Sequence, residues 1–416
     1  MKKRHIIIGA SAAGIGVLSK LRALAPEDEI TCIASQNEMP FNTCLLANYL
    51  STGIQPTTLY TKPESFFKRN NITLKLATRV TQINSKAQKI TDHTGTSYNY
   101  DTLFLGIGTQ ARRLRTDFTP TSGYFQFHTL SDALAIDTFV KTTHPLTAII
   151  VGAGLSGIEC ADALTERGIR VTVIDPATHP LATLLTKEAG DMLELMMKRA
   201  GTTFYANTTV QEIVVEPFTG KTIGVELDNG IELLADMVVC AIGANTNLEL
   251  SMQAAATIVS GGILVDKHMQ IRGSTSIFAG GDVATVPTPL YIQGKNLSSH
   301  TARSCTWPDA MHQGMVAANA MAGTPIEYPG VTVTPSSHFY GTQVISSGGM
   351  NYKAHTDNGV IYAGENWYHF FNVENDKLQS FFMLGNMRNV GVYRKLLASQ
   401  KPFDVEILDP LKDFEL

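Results

Sequence analysis

Three short stretches of this sequence hold residues able to bind a phosphate or react. The most complete is Gly152-Ala-Gly154-Leu-Ser-Gly157, a G-x-G-x-x-G run that follows an apolar stretch. Each glycine there has a physical task. Gly152 permits a tight turn, Gly154 lets the backbone approach a pyrophosphate, and Gly157 lets helix and strand pack closely. A helix opening at that turn aims its unpaired N–H groups at the anion. Asp175 closes the next apolar stretch, where a carboxylate accepts from a ribose 2′-hydroxyl and repels a 2′-phosphate, which points to NADH over NADPH. No Arg or Lys closely follows it.

The second stretch is Gly9-Ala-Ser11-Ala-Ala-Gly14, a weaker fingerprint because serine holds the middle position. The acid expected at the end of the following strand is absent: Ala34, Ser35, Gln36 and Asn37 come first, and Glu38 is the nearest carboxylate. Glu38 has two readings, a partner of an adenosine ribose or a solvated loop acid. The third stretch is Pro40-Phe-Asn-Thr-Cys44-Leu-Leu-Ala-Asn-Tyr-Leu50-Ser-Thr-Gly53, with a lone cysteine before a short apolar run. A helix N-terminus lowers a thiol pKa, and the resulting thiolate can form a mixed disulfide or cycle through a sulfenic acid.

The elements that must position these residues repeat. Residues 5–8 read as a buried strand stopping at Gly9, 10–24 as a helix ended before Pro26, and 29–34 as the next strand, a βαβ unit. The same grammar returns over 147–175. Two apolar strands ending at glycine, 100–108 (YDTLFLGIG) and 236–243 (DMVVCAIG), look like related elements. Residues 274–282 (STSIFAGGD) read as a strand into a Gly-Gly-Asp turn. A polar, Pro-rich loop and a helix at 308–321, with Pro308 in its first turn, come next. From about Pro325 alternating apolar and aromatic runs predict an antiparallel sheet, closed by a short helix at 390–399.

Composition narrows the function classes. The 416 residues suit two or three domains, and 17% charged residues, 44% apolar residues and a net charge of −4 describe an ordinary globular protein without the basic excess of a nucleic-acid binder. Five cysteines stand at 32, 44, 160, 240 and 305 with no C-x-x-C pair, so iron–sulfur and zinc sites are not expected, and a reducing, cytoplasmic compartment is. Lys2, Lys3 and Arg4 before an apolar stretch imitate a signal peptide. The interruptions at Gly9, Ser11, Gly14 and Gly16, and the lack of a small-x-small cleavage site, oppose that reading. No stretch of about 18 apolar residues exists for a membrane span.

Taken together, the motifs resemble the two-dinucleotide flavoprotein disulfide reductases, in the branch of coenzyme A disulfide reductase, NADH oxidase and peroxidase, rubredoxin reductase and the nitrite reductase flavin module. The resemblance covers roughly residues 1–325 well and the rest more loosely. It implies an α/β fold of two Rossmann-like dinucleotide-binding domains, for FAD (1–115 and 244–325) and NADH (116–243), plus a C-terminal α+β dimerisation domain (326–416). Gly281-Asp282 resembles the signature whose Asp holds the ribitol chain of FAD. The strands ending near Gly108 and Gly243 resemble the family's two crossovers, although Gly106 replaces the commoner alanine. Residues 306–323 resemble the helix pointing at the flavin pyrimidine.

Cys44, with Phe41 before it and Tyr49 and Gly53 after it, matches the spacing of the family's redox cysteine beside the isoalloxazine. Leu45, Leu46 and Ala47 replace the usual Gly-Leu-Pro, and the segment also resembles carrier-protein reductases that need no such cysteine. Cys44 therefore has two readings, a redox thiol or a buried packing residue. Glu159 matches a family glutamate near the nicotinamide; without the family it reads as a first-turn acid favoured by the helix dipole. Cys305, Lys20, Arg22, the histidines at 128, 300, 312 and 338, and the aromatic stretch 367–371 read as structural or solvated.

The resemblance implies hydride transfer from NADH to FAD and then to an acceptor. That acceptor is a small thiol, disulfide, persulfide, peroxide or oxygen through Cys44, or a rubredoxin-like carrier protein with Cys44 structural. A third reading is an NADH-sensing flavoprotein with slow turnover. A homodimer is expected.

Overall fold

A computed structural model describes residues 2–114, 121–287, 301–303, 305–330, 334–348 and 359–410. By contact the chain falls into two compact units, one of Met1–Leu46, Gln55–Gln110 and Ala244–Val331, the other of Ala47–Ile54, Ala111–Gly243 and Thr332–Leu416.

The first unit is built on five parallel strands in the order Ile277–Ala279, Thr102–Leu105, Arg4–Ile8, Glu29–Ile33 and Ile72–Lys75. The central strands are continuous apolar runs, as a sheet covered on both faces requires, and Ile6, Ile7, Leu103, Phe104 and Leu105 are buried. The helix Ala12–Leu24 follows the first strand and packs on the later helix Trp307–Ala322. Their backbones come unusually close. A Cβ on Gly16 would stand 2.3 Å from the Met311 carbonyl oxygen, and one on Gly314 would stand 2.0 Å from that of Ala13. Glycine is therefore required inside both helices despite costing about 1 kcal/mol in helix propensity. Arg22 departs from the expected solvated face. Its guanidinium donates to the carbonyls of Ala25, Pro26, Asp28 and Asn71, closing the helix C-terminus.

The second unit repeats the plan with parallel strands in the order Thr203–Tyr205, Arg170–Ile174, Thr147–Val151, Met237–Cys240 and Tyr124–Gln126. In both units the chain runs strand, glycine turn, helix, strand. Later a three-stranded antiparallel sheet precedes the strand on the other side of the opening one. The order thus reverses beside each opening strand, which leaves a crevice at its carboxyl end.

The second unit also holds a five-stranded antiparallel sheet ordered Ser336–Phe339, Thr342–Ser347, Lys377–Leu384, Trp367–Glu374 and Gly359–Gly364, with the helix Val390–Ser399 after it. Phe370 stacks on Phe382 with centroids 5.5 Å apart, and Tyr393 of the helix meets Phe371 edge-on at 4.7 Å. The aromatic stretch is therefore core. Residues 288–300, which hold most of the expected polar loop and His300, lie outside the described residues. Among the described residues no helix is long and apolar enough to cross a membrane, and no group of His, Cys, Asp and Glu could hold a metal ion.

Candidate dinucleotide sites and an exposed cysteine

The two glycine turns share one geometry. Gly9 and Gly152 have φ of +99° and +109°, in the left-handed region that favours glycine. A Cβ on Gly9 would meet the Gly106 carbonyl oxygen at 2.1 Å, and one on Gly152 would meet that of Ala241 at 2.5 Å. Gly14 and Gly157 each pack against the carbonyl of the first glycine of their own turn, where a Cβ would come within 2.0 Å. Packing alone explains these four.

Gly154 is different, because among the described residues nothing beyond its chain neighbours and its own helix backbone comes within 4 Å of where its Cβ would lie. Packing among the described residues therefore does not require glycine there. Ser11 takes the matching place in the first turn and is exposed. Ser11 and Gly154 are the N-caps of their helices, and neither supplies a side-chain acceptor to the first-turn N–H groups. By contrast the helix Leu130–Thr143 is closed by a Thr129–Asp132 capping box. Two uncapped helix starts at two switch points fit the pyrophosphates of two dinucleotides.

Asp175 stands at the end of its strand, as the sequence suggested. Its Oδ2 accepts from the Ala153 N–H at 2.7 Å and its Oδ1 from the Ala177 N–H at 2.8 Å. The carboxylate thus braces the glycine turn and keeps a second lone pair on each oxygen for a ribose. Glu38 is half-buried in the loop after the strand Glu29–Ile33. Gly108 and Gly243 also have positive φ, +55° and +91°, with open space where a Cβ would lie. Gly281 has φ +76° and donates its N–H to Gln313 Oε1 at 2.8 Å, and Asp282 beside it is half-buried.

Glu159 corrects one reading. The helix starts at Leu155 and carries no acid in its first turn, so Glu159 lies one turn further on, beyond the strongest part of the dipole. Burial raises its pKa, and a hydrogen bond donated by Ser337 Oγ opposes the rise. No spacing in the sequence announces that partner, which comes from the edge strand of the C-terminal sheet.

Cys44 is exposed. It sits in the 3-10 turn Thr43–Leu45, just ahead of the helix Leu46–Thr52, and its N–H is capped by Asn42 Oδ1 at 3.0 Å. The remaining cysteines differ. Cys32, Cys160 and Cys240 are buried, and burial pushes the Cys32 thiol up to about 12. Cys305 is exposed as a residue, but desolvation and then the charge of Asp282 push its thiol up to about 11.

Known proteins bear on this geometry. Residues 3–314 match the model of the pyridine nucleotide-disulphide oxidoreductase family. The chain is 29% identical over 328 residues to the rubredoxin-NAD(+) reductase of Ectopseudomonas oleovorans, covering 78% of this chain and 81% of that protein. It is 28% identical over 352 residues to the CoA-dependent NAD(P)H sulfur oxidoreductase of Pyrococcus abyssi, covering 84% and 76%. Among solved structures, the covalent putidaredoxin reductase–putidaredoxin complex contains a chain that superposes with a TM-score of 0.87 at 22% identity, covering 98% of this chain and 95% of that one.

Proposed function

The chain belongs to the pyridine nucleotide-disulphide oxidoreductase family and is an FAD-dependent NAD(P)H oxidoreductase, and from that premise we propose that it delivers electrons from NADH to a small disulfide, persulfide, peroxide or oxygen through Cys44. Its cofactors are FAD and NADH. In this reading Gly9, Ser11, Gly14, Glu38, Gly108, Gly281 and Asp282 hold FAD. Gly152, Gly154, Gly157, Asp175 and Gly243 hold NADH, with Glu159 near the nicotinamide. When bound, the flavin supplies the step from two-electron hydride donor to acceptor that side chains alone cannot perform.

The observation that carries the proposal is the exposure of Cys44 on a capped turn. A thiolate there attacks one sulfur of a disulfide, forming a mixed disulfide on Cys44 and releasing the other sulfur as a thiolate, or attacks the inner sulfur of a persulfide, forming the same kind of mixed disulfide and releasing hydrosulfide. The protein's part is to hold that thiol accessible while Asn42 fixes the backbone beneath it. Three domains, a cytoplasmic location and a homodimer complete the proposal, the location resting on five cysteines without a pairing pattern.

A second reading is favoured by the likeness to the rubredoxin-NAD(+) reductase: the acceptor is a small redox protein and Cys44 takes no electrons. Replacing Cys44 with Ser separates the two. On the first reading Cys44→Ser loses at least about a hundredfold in turnover with disulfide or persulfide, while anaerobic bleaching of the flavin by NADH keeps its rate. Unchanged turnover with every small acceptor would leave the carrier-protein reading.

A further inference from the structure

Beneath the Gly281–Asp282 turn runs a chain of hydrogen bonds that converges on one carboxylate. Gln313 is fully buried, and its Oε1 accepts from the Gly281 N–H at 2.8 Å. Its Nε2 donates to Asp309 Oδ2 at 2.7 Å, and Tyr328 donates its hydroxyl to Asp309 Oδ1 at 2.5 Å. Asp309 and Gln313 are one turn apart on the helix Trp307–Ala322, while Tyr328 comes from the segment that leaves that helix. Tyr328 is itself pinned: its N–H donates to the Lys267 carbonyl at 2.7 Å, and its ring lies 5.5 Å from that of His312.

The orientation of the Gln313 amide has a cause. A primary amide can turn over, and then Gln313 would present its NH2 to the Gly281 N–H, donor against donor. The Asp309 carboxylate only accepts, so it holds the NH2 on its own side and the carbonyl on the side of Gly281. Tyr328 occupies the other carboxylate oxygen and fixes the rotation of Asp309. Gly281 needs such an anchor, because its φ of +76° is held beside Ala13, whose Cβ would stand 3.1 Å from an added Cβ.

We propose that Asp309 and Tyr328 are positioning residues that act through Gln313 to fix the Gly281–Asp282 turn for the flavin. This rests on the reading above that the turn holds FAD. The chain ties the cofactor site to the segment on which the polypeptide leaves its first unit.

The test is the rate at which the purified holoprotein releases FAD on dilution, followed by flavin fluorescence far below the melting temperature, with melting measured on the same samples. Tyr328→Phe should release FAD about threefold to tenfold faster, and Asp309→Ala about tenfold or more. Asp309→Asn should stay within about twofold, since its carbonyl can still accept from Gln313 while its NH2 donates to the Tyr328 oxygen. Combined with Tyr328→Phe, the same Asn should fall to the level of Asp309→Ala, because its NH2 then has no acceptor. Lower melting temperatures with release rates within about twofold of the parent in Tyr328→Phe and Asp309→Ala would mean a purely structural network and overturn the proposal. A failure of the underlying reading looks different: the parent carries no FAD, or Asp282→Ala releases it at the parent rate.

Discussion

Gly154 and Gly157 are three residues apart, and of the two only Gly157 has a neighbour in the chain that demands its small size. Gly157→Ala puts a methyl group 2.0 Å from the Gly152 carbonyl oxygen, so the turn has to shift, at a cost of about 1–3 kcal/mol or more. Gly154→Ala meets nothing within 4 Å, so stability should change by less than about 0.5 kcal/mol while the KM for NADH rises at least about tenfold. Urea midpoints and initial rates check both, and equal effects on the two quantities would contradict the distinction. Asp175→Asn, by removing the charge that repels a 2′-phosphate, should lower the ratio of kcat/KM for NADH over NADPH about tenfold. The tight turn itself was legible because a glycine fingerprint is a local backbone requirement written into adjacent residues. The first-turn reading of Glu159 missed its place in the helix, and its partner Ser337 is 178 residues away, where no spacing within the helix announces it.

At the scale of elements, the strands and helices beside each glycine turn followed from apolar runs stopped by Gly or Pro, and the helix Val390–Ser399 falls where the sequence put it. What the pattern did not contain was how the elements are fastened. Asp137 on the helix Leu130–Thr143 is 6% exposed at its side chain and accepts from Tyr49, Lys141 and Arg167. Burial alone would raise its pKa, yet the three donors hold it below the ordinary carboxylate range. Tyr49, which belongs to the spacing around Cys44, is also an anchor for the short helix Leu46–Thr52. Its hydroxyl donates to Asp137 at 3.0 Å and its pKa is pushed up to about 12 by burial and that bond. Asp137→Ala strands the half-buried Arg167 guanidinium and should cost about 3 kcal/mol, whereas Lys141→Ala, at an exposed partner, should cost less than about 1. Denaturant melts of the two variants decide it, and equal losses would remove the anchoring role.

For the molecule as a whole, acid should be the destabilising direction. His369 is fully buried in the C-terminal sheet, its Nε2 hydrogen-bonded to the Asn386 carbonyl oxygen at 2.5 Å, and burial lowers its pKa to about 4. Because the unfolded chain binds the proton first, this contribution is complete above pH 6.5 and is lost as pH falls through 6.5 toward about 4. His369→Gln should flatten the fall in urea midpoint across that window, and an unchanged slope would assign it to other groups. The order of strands has a consequence for how the protein is made. The strand Thr102–Leu105 waits for Ile277–Ala279, which the ribosome supplies only after every strand of the second parallel sheet. On the nascent chain the later-coded sheet is therefore complete first. The earlier one keeps an open apolar edge for on the order of ten seconds or more, the interval in which a chaperone or a neighbouring chain competes for it.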